Sequence, residues 1–262
     1  MYKVALLGRD IKYTQSPRIH GAVASALGVE LRFNVADVTF DRFEREVERL
    51  LDTCDGFYVT KPYKTEAARL FGADGAVNLV RSRDRAAFNT DGTGFVSALD
   101  RNFDGWRKSV NGVLVLGAGG AAFAAAKALS SLGKKVYVLN RTLRHALTLC
   151  AQTGAELYVN QPAELVVNCT SLGWNGEDVL RALCVLPSFA YAFDTVYAKQ
   201  GTPFLHRCGV GGARVCDGTD MLVYQAIAGD KLLFGSDADD EKVYEKTMNF
   251  LSGGTDGEDI GA

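Results

Sequence analysis

The sequence predicts an α/β fold in which two open sheets carry helices on their faces. Two observations predict it. Short apolar runs typical of buried strands alternate along most of the chain with segments of helical periodicity, which is the pattern of parallel sheets with crossover helices. A glycine-rich turn, Gly117-Ala118-Gly119-Gly120, stands between one such strand and an alanine-rich helix.

The first hundred residues predict an open parallel sheet of their own. Its strands are expected at 2–7, 31–35 and 56–60, and its helices at 17–27, 40–52 and 64–71. A further helix over 90–102 closes this domain, which we expect to bind the substrate. The predicted bounds are 1–102.

The second part of the chain predicts a doubly wound sheet over 103–217. Its strands are expected at 113–116, 136–139, 165–168, 191–194 and 214–216. Helices over 218–251 are expected to return to the first domain, and Thr219 and Asp220 are candidate N-caps of a helix near 221–229. The segment 252–262 is polar, acidic and rich in glycine, so we expect a disordered tail.

The glycine turn predicts a nucleotide site. Gly117 permits a sharp turn, Gly119 lets phosphates approach the backbone, and Ala122 supplies the small side chain that close packing of helix and strand requires. The helix that follows offers free N–H groups and a positive dipole end to a pyrophosphate. We therefore expect a Rossmann-type dinucleotide-binding domain; the alternative is a strand, turn and helix without a ligand.

The residues after the second strand of this domain predict the cofactor. An NAD-binding unit places an Asp or Glu there, whereas this chain has Asn140, Arg141 and Thr142, with Arg144 one turn later. Arg141 can present a planar fork of donors to a 2′-phosphate, and Thr142 can add a hydroxyl or cap the next helix. NADP(H) is the expected cofactor; the alternative is that Arg141 and Arg144 form a solvated basic surface.

Composition excludes several other classes of protein. The chain has 262 residues, 47% of them hydrophobic, and a formal net charge of −2, so nucleic acid is not an expected partner. An apolar run near 18 residues is missing from the sequence, so we expect no membrane span. The six cysteines form neither C-x-x-C pairs nor clusters with histidine, which predicts small core residues in a reducing cytoplasm and no metal site.

Polar clusters mark the expected chemistry of the first domain. They occupy 13–20, 58–64, 76–78 and 88–92, each at a predicted strand end or loop. Because ligands of open parallel sheets bind beyond the carboxyl ends of the strands, we expect these loops to converge. Hydroxyls, amides, lysine ammonium groups and one carboxylate suit a small polyhydroxylated acid.

The chain resembles the shikimate dehydrogenase family over nearly its whole length. The motifs that carry the resemblance are, in order, Thr14-x-Ser16-Pro17-x-x-His20, Val59-Thr60-Lys61-Pro62-Tyr63-Lys64, Gly75-Ala76-Val77-Asn78, Asn89-Thr90-Asp91-Gly92-x-Gly94-Phe95, Gly117-Ala118-Gly119-Gly120-Ala121, Asn140-Arg141-Thr142, Asn168-Cys169-Thr170-Ser171-Leu172-Gly173, Asp194-Thr195-Val196-Tyr197, Thr202-Pro203-Phe204-Leu205 and Gly218-x-x-Met221-Leu222-x-x-Gln225. The resemblance implies reversible NADP-dependent oxidation of shikimate to 3-dehydroshikimate, in the chorismate pathway of aromatic amino acid biosynthesis, by a monomer or homodimer.

The resemblance also implies roles for individual residues. Lys64 and Asp91 would form the catalytic pair. The substrate-binding residues would be Thr14 and Ser16 at the carboxylate, Thr60, Asn78 and Gln225 at the ring hydroxyls, and Tyr197 at the pocket. The cofactor-binding residues would be Gly117, Ala118, Gly119, Gly120, Ala121, Asn140, Arg141, Thr142, Thr170, Ser171, Gly218 and Met221.

The chemistry of alcohol oxidation agrees with the catalytic pair. The hydroxyl must lose a proton as hydride leaves the carbon, and Lys64 can act as the acid or base while Asp91 orients its ammonium. Considered alone, Lys64 is typical of a surface lysine and Asp91 of an N-cap. His20 is expected to satisfy a backbone group rather than to catalyse, and Tyr197 is either a packing aromatic or a ligand contact.

Two positions depart from the family pattern. Tyr58 stands where the family usually has Asn, and Thr14 where it usually has Ser. A tyrosine at position 58 is expected either to point away from the pocket or to reshape it. Three hypotheses follow: a shikimate dehydrogenase, a dehydrogenase of quinate or a related hydroxylated cyclohexane carboxylate on the same scaffold, and an NADPH-binding sensor without catalysis.

Overall fold

The chain forms two compact units. The computed structural model describes residues 1–12, 14–185, 188–198 and 200–253. The first unit contains Met1–Thr90 and the described residues from Val223 onward, and the second contains Asp91–Leu222. The domain ends expected at residues 102, 217 and 251 stay predictions.

The first unit contains a sheet with helices on both faces. Its elements are β1 (Tyr2–Gly8), α1 (Ser16–Ala26), β2 (Leu31–Asp37), a 3₁₀ turn (Phe40–Arg42), α2 (Phe43–Thr53), β3 (Gly56–Val59), α3 (Lys64–Leu70), β4 (Leu79–Arg81), a second 3₁₀ turn (Ser82–Asp84), β5 (Ala86–Phe88), the part of α10 (Thr219–Phe234) from Val223, and α11 (Asp240–Gly253). Within the described ranges five strands form this sheet, in the order β2-β1-β3-β4-β5.

This sheet is mixed, whereas the sequence predicted a parallel one. The three predicted strands are confirmed, and β1 pairs in parallel with both β2 and β3. Two further strands, β4 and β5, were not predicted and pair antiparallel, β4 with β3 and β5 with β4. Each has three residues, which is too short for a periodic pattern to emerge from the sequence.

Both faces of β1 are buried, which explains its continuous apolar run. One face packs in a cluster that includes Ala5, Leu7, Val47, Leu50 and Phe57, and the other in a cluster that includes Val4, Leu6, Tyr58, Leu79 and Leu233. Helix α2 thus covers one face of the sheet, and α10 covers the other.

The second unit is the predicted doubly wound sheet. Its elements are α4 (Asp91–Asn102), α5 (Trp106–Ser109), β6 (Gly112–Leu116), α6 (Gly120–Ser131), β7 (Lys135–Leu139), α7 (Leu143–Thr153), β8 (Glu156–Leu157), β9 (Leu165–Asn168), α8 (Val179–Ala182), β10 (Tyr191–Asp194), α9 (Pro203–Val210), β11 (Arg214–Cys216) and the start of α10. The part of the chain that the structure describes gives it six strands, in the order β8-β7-β6-β9-β10-β11. All its pairs are parallel, and this order is that of the Rossmann fold, so the predicted fold class is confirmed.

The C-terminal helices differ from the prediction at their ends. Helix α10 begins at Thr219, so Thr219 and Asp220 lie in its first turn and are not its N-cap. The carbonyl of Gly218 accepts from the N–H of Leu222 over 3.0 Å, so Gly218 is at the N-cap position, and Oδ1 of Asp217 accepts from the N–H of Thr219 over 2.9 Å. Helix α11 continues to Gly253, past the predicted start of the tail at residue 252. Residues 254–262 of that predicted tail lie outside the described residues.

The cysteines only partly follow the expectation of core residues. Cys169, Cys208 and Cys216 are buried, whereas Cys54 and Cys150 are half-buried and Cys184 is exposed. Among the described residues the longest helix is α10, with 16 residues. None of the helices in these ranges combines the length and apolarity that crossing a membrane requires.

Candidate active site

Two hydroxyls stand side by side at the start of α1. Thr14 Oγ1 donates to Ser16 Oγ over 3.0 Å, and the N–H of Ser16 donates to Thr14 Oγ1 over 3.2 Å. The side chain of Gln15, at the N-cap position, forms no capping bond with a described residue. A pair of hydroxyls at a helix N-terminus fits the predicted carboxylate site, because both the donors and the helix dipole favour an anion.

The turn after β3 presents Thr60 and Lys64. The N–H of Thr60 donates to the carbonyl of Leu7 over 2.9 Å, and the Thr60 carbonyl accepts from Tyr63 over 2.9 Å. Lys64 is the first residue of α3 and is half-buried, and its carbonyl accepts from the N–H of Val77 over 2.9 Å. The backbone at both residues is therefore fixed by hydrogen bonds.

Asn78, Thr90 and Gln225 form a polar cluster, in which Asn78 and Thr90 are buried and Gln225 is half-buried. Asn78 Nδ2 donates to Thr90 Oγ1 over 2.9 Å and to Gln225 Oε1 over 3.3 Å. Asn78 Oδ1 accepts from the N–H of Thr90 over 2.8 Å, and Thr90 Oγ1 donates to the carbonyl of Gln225 over 2.9 Å. The structure thus brings together two residues predicted to bind ring hydroxyls. Thr90, which joins them, was quoted in a motif but was not predicted as a site residue.

Asp91 is buried at the start of α4, in the second unit. Helix α4 packs closely on α6, because a Cβ at Gly92 would lie 3.2 Å from the carbonyl oxygen of Ala124. Burial and then the charges of Asp194 and Asp91 raise the pKa of the Cys169 thiol, so Asp91 lies near the end of β9. Asp91 is therefore placed beside the elements of the glycine turn. Its pairing with Lys64 stays a prediction.

The glycine turn has the shape that a dinucleotide pyrophosphate requires. Gly117 has φ +111°, and a Cβ there would lie 3.0 Å from the carbonyl oxygen of Cys169. Gly119 is the N-cap of α6, and among the described residues nothing lies within 4 Å of where its Cβ would be. The first turn, Gly120 and Ala121, carries N–H groups without a side-chain cap from the residues described. These features fit the predicted cofactor contacts of Ala118 and its neighbours.

The end of β7 fits the predicted 2′-phosphate site. Arg141 is exposed, and no residue in the described ranges forms a hydrogen bond or ion pair with its guanidinium. Asn140 Nδ2 donates to the carbonyl of Thr142 over 3.0 Å, which fixes the loop. Thr142 is the N-cap of α7 but its hydroxyl caps no described N–H. The side chains of Arg141 and Thr142 thus remain available to a ligand.

The loop after β9 is built on Asn168. Asn168 Oδ1 accepts from the N–H and the hydroxyl of Thr170 over 3.0 and 2.7 Å, and Thr170 Oγ1 accepts from the N–H of Leu172 over 3.1 Å. The Thr170 hydroxyl is thus used within its own loop. Ser171, the other predicted cofactor residue of this loop, is exposed.

A buried carboxyl group supports this loop from β10. Asp194 Oδ1 accepts from Asn168 Nδ2 over 2.8 Å and from the N–H of Val196 over 3.0 Å, and Oδ2 accepts from Thr202 Oγ1 over 2.6 Å. Burial raises the pKa of the Asp194 carboxyl to about 7, against the lowering effect of these donors. The sequence offered Asp194 only as part of a motif.

The remaining predicted contacts lie near the end of the second sheet. Gly218 is required by a close approach, since a Cβ there would lie 2.5 Å from the carbonyl oxygen of Thr195. Met221 is buried in the first turn of α10. Tyr197 is half-buried and packs edge-on against Trp174 with ring centroids 5.0 Å apart, and burial raises its pKa. Packing is therefore the contact that the structure gives Tyr197, and Trp174 is a neighbour that sequence reasoning missed.

A buried network in the first unit was also missed. The hydroxyl of Tyr58 donates to Asp230 Oδ1 over 2.8 Å, and His20 Nδ1 lies 3.0 Å from both oxygens of Asp230. His20 thus bonds a carboxylate, and the expectation that it satisfies a backbone group is wrong. Tyr58 was expected either to point away from the pocket or to reshape it, and the structure shows its hydroxyl pointing into the core. The sequence feature that could have indicated this network is Asp230, an acidic residue in a largely apolar stretch of α10.

Two family models match parts of this chain. The model of the shikimate dehydrogenase substrate binding domain matches residues 6–80, and the shikimate / quinate 5-dehydrogenase model matches residues 99–169. The first range contains Thr14, Ser16, Thr60, Lys64 and Asn78, and the second contains the glycine turn.

Individual relatives match over most of their length. The shikimate dehydrogenase (NADP(+)) of Brucella abortus (strain S19) is 35% identical over 260 residues, covering 89% of each chain. That of Rhizobium meliloti (strain 1021) is 34% identical and covers 87% of each chain. The crystal structure of shikimate 5-dehydrogenase from Thermus thermophilus, in complex with NADP(H) and shikimate, superimposes with a TM-score of 0.81 at 29% identity, covering 96% of this chain and 100% of that one. With this likeness along nearly nine-tenths of its length, the chain belongs to the shikimate dehydrogenase family.

Proposed function

We propose that this chain catalyses the reversible NADPH-dependent reduction of 3-dehydroshikimate to shikimate. The observation that carries the proposal is the contact between Asn78 and Gln225, two predicted ring-hydroxyl binders, in a chain of this family. Amide groups that meet in a buried cluster can bind several hydroxyls of one ring.

The substrate carboxylate is assigned to the start of α1. Thr14 and Ser16 present adjacent hydroxyls at a helix N-terminus, which stabilises a negative charge. Thr60, from the turn after β3, is assigned to a ring hydroxyl together with Asn78 and Gln225. These residues all belong to the first unit.

NADP(H), when bound, supplies or accepts the hydride at the reacting carbon. In the reducing direction the ammonium of Lys64 donates a proton to the carbonyl oxygen of the substrate, and in the oxidising direction Lys64 takes that proton back. The carboxylate of Asp91 orients the ammonium and accepts a hydrogen bond from the reacting hydroxyl. The two groups thus share the proton transfer.

The residues of the second unit fit the cofactor. When NADP(H) is bound, the N–H groups at Gly120 and Ala121 would bind the pyrophosphate, and Gly119 has no side chain to block the approach. Arg141 and Thr142 would hold the 2′-phosphate, for which an arginine fork is suited in charge and shape.

Initial rates at the nicotinamide absorbance band test the proposal. Shikimate and quinate are each offered with NADP⁺ and with NAD⁺, and shikimate with NADP⁺ is expected to give the highest kcat/KM. Shikimate turnover below about one per cent of that of the best substrate would overturn the choice of substrate.

Quinate is the second candidate substrate. The family model over residues 99–169 is described for both acids, and Tyr58 departs from the usual asparagine. If quinate is turned over faster, this second assignment replaces the first. Tight NADPH binding without turnover of either acid would favour the sensor hypothesis.

A further inference from the structure

Asp230 is the centre of a buried hydrogen-bonded network. Its carboxylate accepts from the hydroxyl of Tyr58 over 2.8 Å and lies 3.0 Å from Nδ1 of His20 through both oxygens. All three side chains are almost fully buried, with exposed fractions of 2% for Tyr58 and His20 and 0% for Asp230. Tyr58 is a donor to this carboxyl group, and Nδ1 of His20 lies within hydrogen-bond distance of both its oxygens.

The tyrosine is held firmly in its donor role. Burial and then the charge of Asp230 raise the pKa of Tyr58 well above its usual value, so the hydroxyl keeps its proton. Its ring fills the space at Gly229, where a Cβ would lie 2.3 Å from the hydroxyl oxygen. The His20 ring packs against both Phe33 and Tyr58, with centroids 4.8 and 4.2 Å away. The geometry at Asp230 is thus fixed by packing as well as by hydrogen bonds.

Each member of the network belongs to an element that carries, or directly precedes, a proposed substrate contact. His20 lies on α1, one helical turn after Ser16. Tyr58 lies on β3, and Thr60 follows it two residues later, in the turn after that strand. Asp230 lies on α10, five residues after Gln225. The carboxylate therefore joins three segments that are distant in sequence.

Other polar bonds link these segments to neighbouring ones at different points. Asn78, the residue before β4, bonds Gln225 of α10, Thr90 donates to the carbonyl of Gln225, and Arg18 donates from α1 to the carbonyl of Leu251 of α11 over 2.7 Å. Among the described contacts, Asp230 is where α1, β3 and α10 meet through one group. Loss of this group leaves the buried Tyr58 hydroxyl and Nδ1 of His20 without their partner, which the fold relieves by moving the segments apart or admitting water.

We propose that Asp230 is a positioning residue, which sets the relative placement of Ser16, Thr60 and Gln225 and thereby the affinity for the hydroxylated acid. This inference rests on the proposed function. Asp230 acts through these three residues and does not touch the substrate. Its effect is expected in the KM for shikimate and not in the KM for NADP⁺, because the residues assigned to the cofactor belong to the second unit.

Steady-state kinetics of graded variants test the proposal. Asp230→Ala removes both acceptors and is expected to raise the KM for shikimate about tenfold or more, with the KM for NADP⁺ changed less than about twofold. Asp230→Asn keeps the shape and one acceptor and is expected to recover part of the loss. Tyr58→Phe removes one donor while its ring still fills the space at Gly229, and is expected to raise the KM for shikimate about threefold.

Val47→Ala is the matched control. Val47 is fully buried in α2, in the cluster on the opposite face of the same sheet, so its truncation destabilises the first unit without touching the network. If Val47→Ala raises the KM for shikimate as much as Asp230→Ala at an equal loss of Tm, Asp230 is merely structural and the proposal is wrong. If Asp230→Ala does not fold, an unchanged KM for shikimate in Tyr58→Phe also shows that the proposal is wrong.

Hydrogen exchange separates this inference from the proposed function. A wild-type chain that turns over no shikimate refutes the proposed function only. In that case amide exchange in Asp230→Ala is expected to accelerate at residues 14–20, 58–64 and 223–230 relative to Val47→Ala. Uniform acceleration through the first unit, as in the control, would overturn the positioning role.

Discussion

Asn78 and Thr90 are joined by two hydrogen bonds, one from the Asn78 amide to Thr90 Oγ1 over 2.9 Å and one from the Thr90 N–H to Asn78 Oδ1 over 2.8 Å. Thr90 also links Asn78 to Gln225, because its hydroxyl donates to the carbonyl of Gln225. Both side chains are buried, so water does not compete for these bonds. The predicted ring-hydroxyl binders therefore form one preorganised cluster.

Replacing Asn78 with alanine is expected to lower both stability and affinity. The N–H of Thr90 would lose its acceptor in a buried position, which costs about 1–3 kcal/mol of unfolding free energy. Urea titration measures this loss, and the KM for shikimate is expected to rise with it. Thr247→Val is the control, because its buried hydroxyl has no partner among the described residues. An equal loss of stability in both variants would contradict the role of the cluster.

Lys64→Ala is expected to abolish catalysis while leaving cofactor binding unchanged. Removing a general acid and base slows turnover by about 10²–10⁴-fold, because the carbonyl oxygen of the substrate loses its proposed proton donor. Reduction of 3-dehydroshikimate and NADPH binding by fluorescence titration check the two parts. Lys3→Ala removes an exposed cation of the same unit and is expected to act as wild type. Wild-type reduction rates in Lys64→Ala would refute the catalytic assignment.

Arg141→Ala is expected to weaken NADPH far more than NADH. A charge-assisted contact to the 2′-phosphate contributes about 1.5–3 kcal/mol, and NADH lacks that group. Isothermal titration with both cofactors measures the difference. Lys135→Ala, which removes an exposed cation at the opposite end of β7, is the control. Equal losses for NADPH and NADH would show that Arg141 does not select the cofactor.

Asp194 is expected to make stability fall as pH rises. Burial raises the pKa of its carboxyl to about 7, whereas the unfolded chain releases this proton at about pH 3.9. Between these values the folded chain binds more protons than the unfolded one. The contribution of Asp194 to the free energy of unfolding is therefore fully present below the pKa of the unfolded chain and is lost as pH rises toward about 7.

The Asp194→Asn variant checks this dependence. Its amide does not titrate, so its unfolding free energy is expected to vary less than that of wild type between roughly pH 5 and pH 8. Urea titrations across that range measure both curves. Asp104→Asn, at an exposed position of the same unit, is expected to follow wild type. Parallel curves for wild type and Asp194→Asn would contradict the raised pKa.

The second sheet was predictable because its signals are local. Strands β6 and β7 are each five residues long. Gly117 directly follows β6, and Arg141 is the second residue after β7. The hairpin of β4 and β5 was not predictable, since three-residue strands carry no periodic signal. The connection between β4 and β5 contains Arg85 at φ +54°, which is a left-handed conformation. A glycine at this position would have indicated a turn in the sequence, whereas an arginine does not.

For the candidate site, the motifs predicted individual residues but not the contacts between them. They offered Asn78 and Gln225, whose ligand roles stay predictions, whereas Thr90, which bonds both, has no distinguishing spacing. Tyr58 and Asp230 are 172 positions apart, so only the folded chain reveals that one accepts a bond from the other. Long-range polar pairing depends on tertiary packing, which composition and periodicity do not encode.

The space that the Tyr58 ring occupies at Gly229 constrains how this protein can evolve. Any side chain at position 229 would collide with the phenol, because even a methyl group would come within 2.3 Å of its oxygen. A larger residue is therefore tolerated at 229 only after the aromatic ring at 58 has been lost. Homologues of this chain should accordingly show the two sites changing as a pair, with the phenol confined to lineages that keep glycine in the helix.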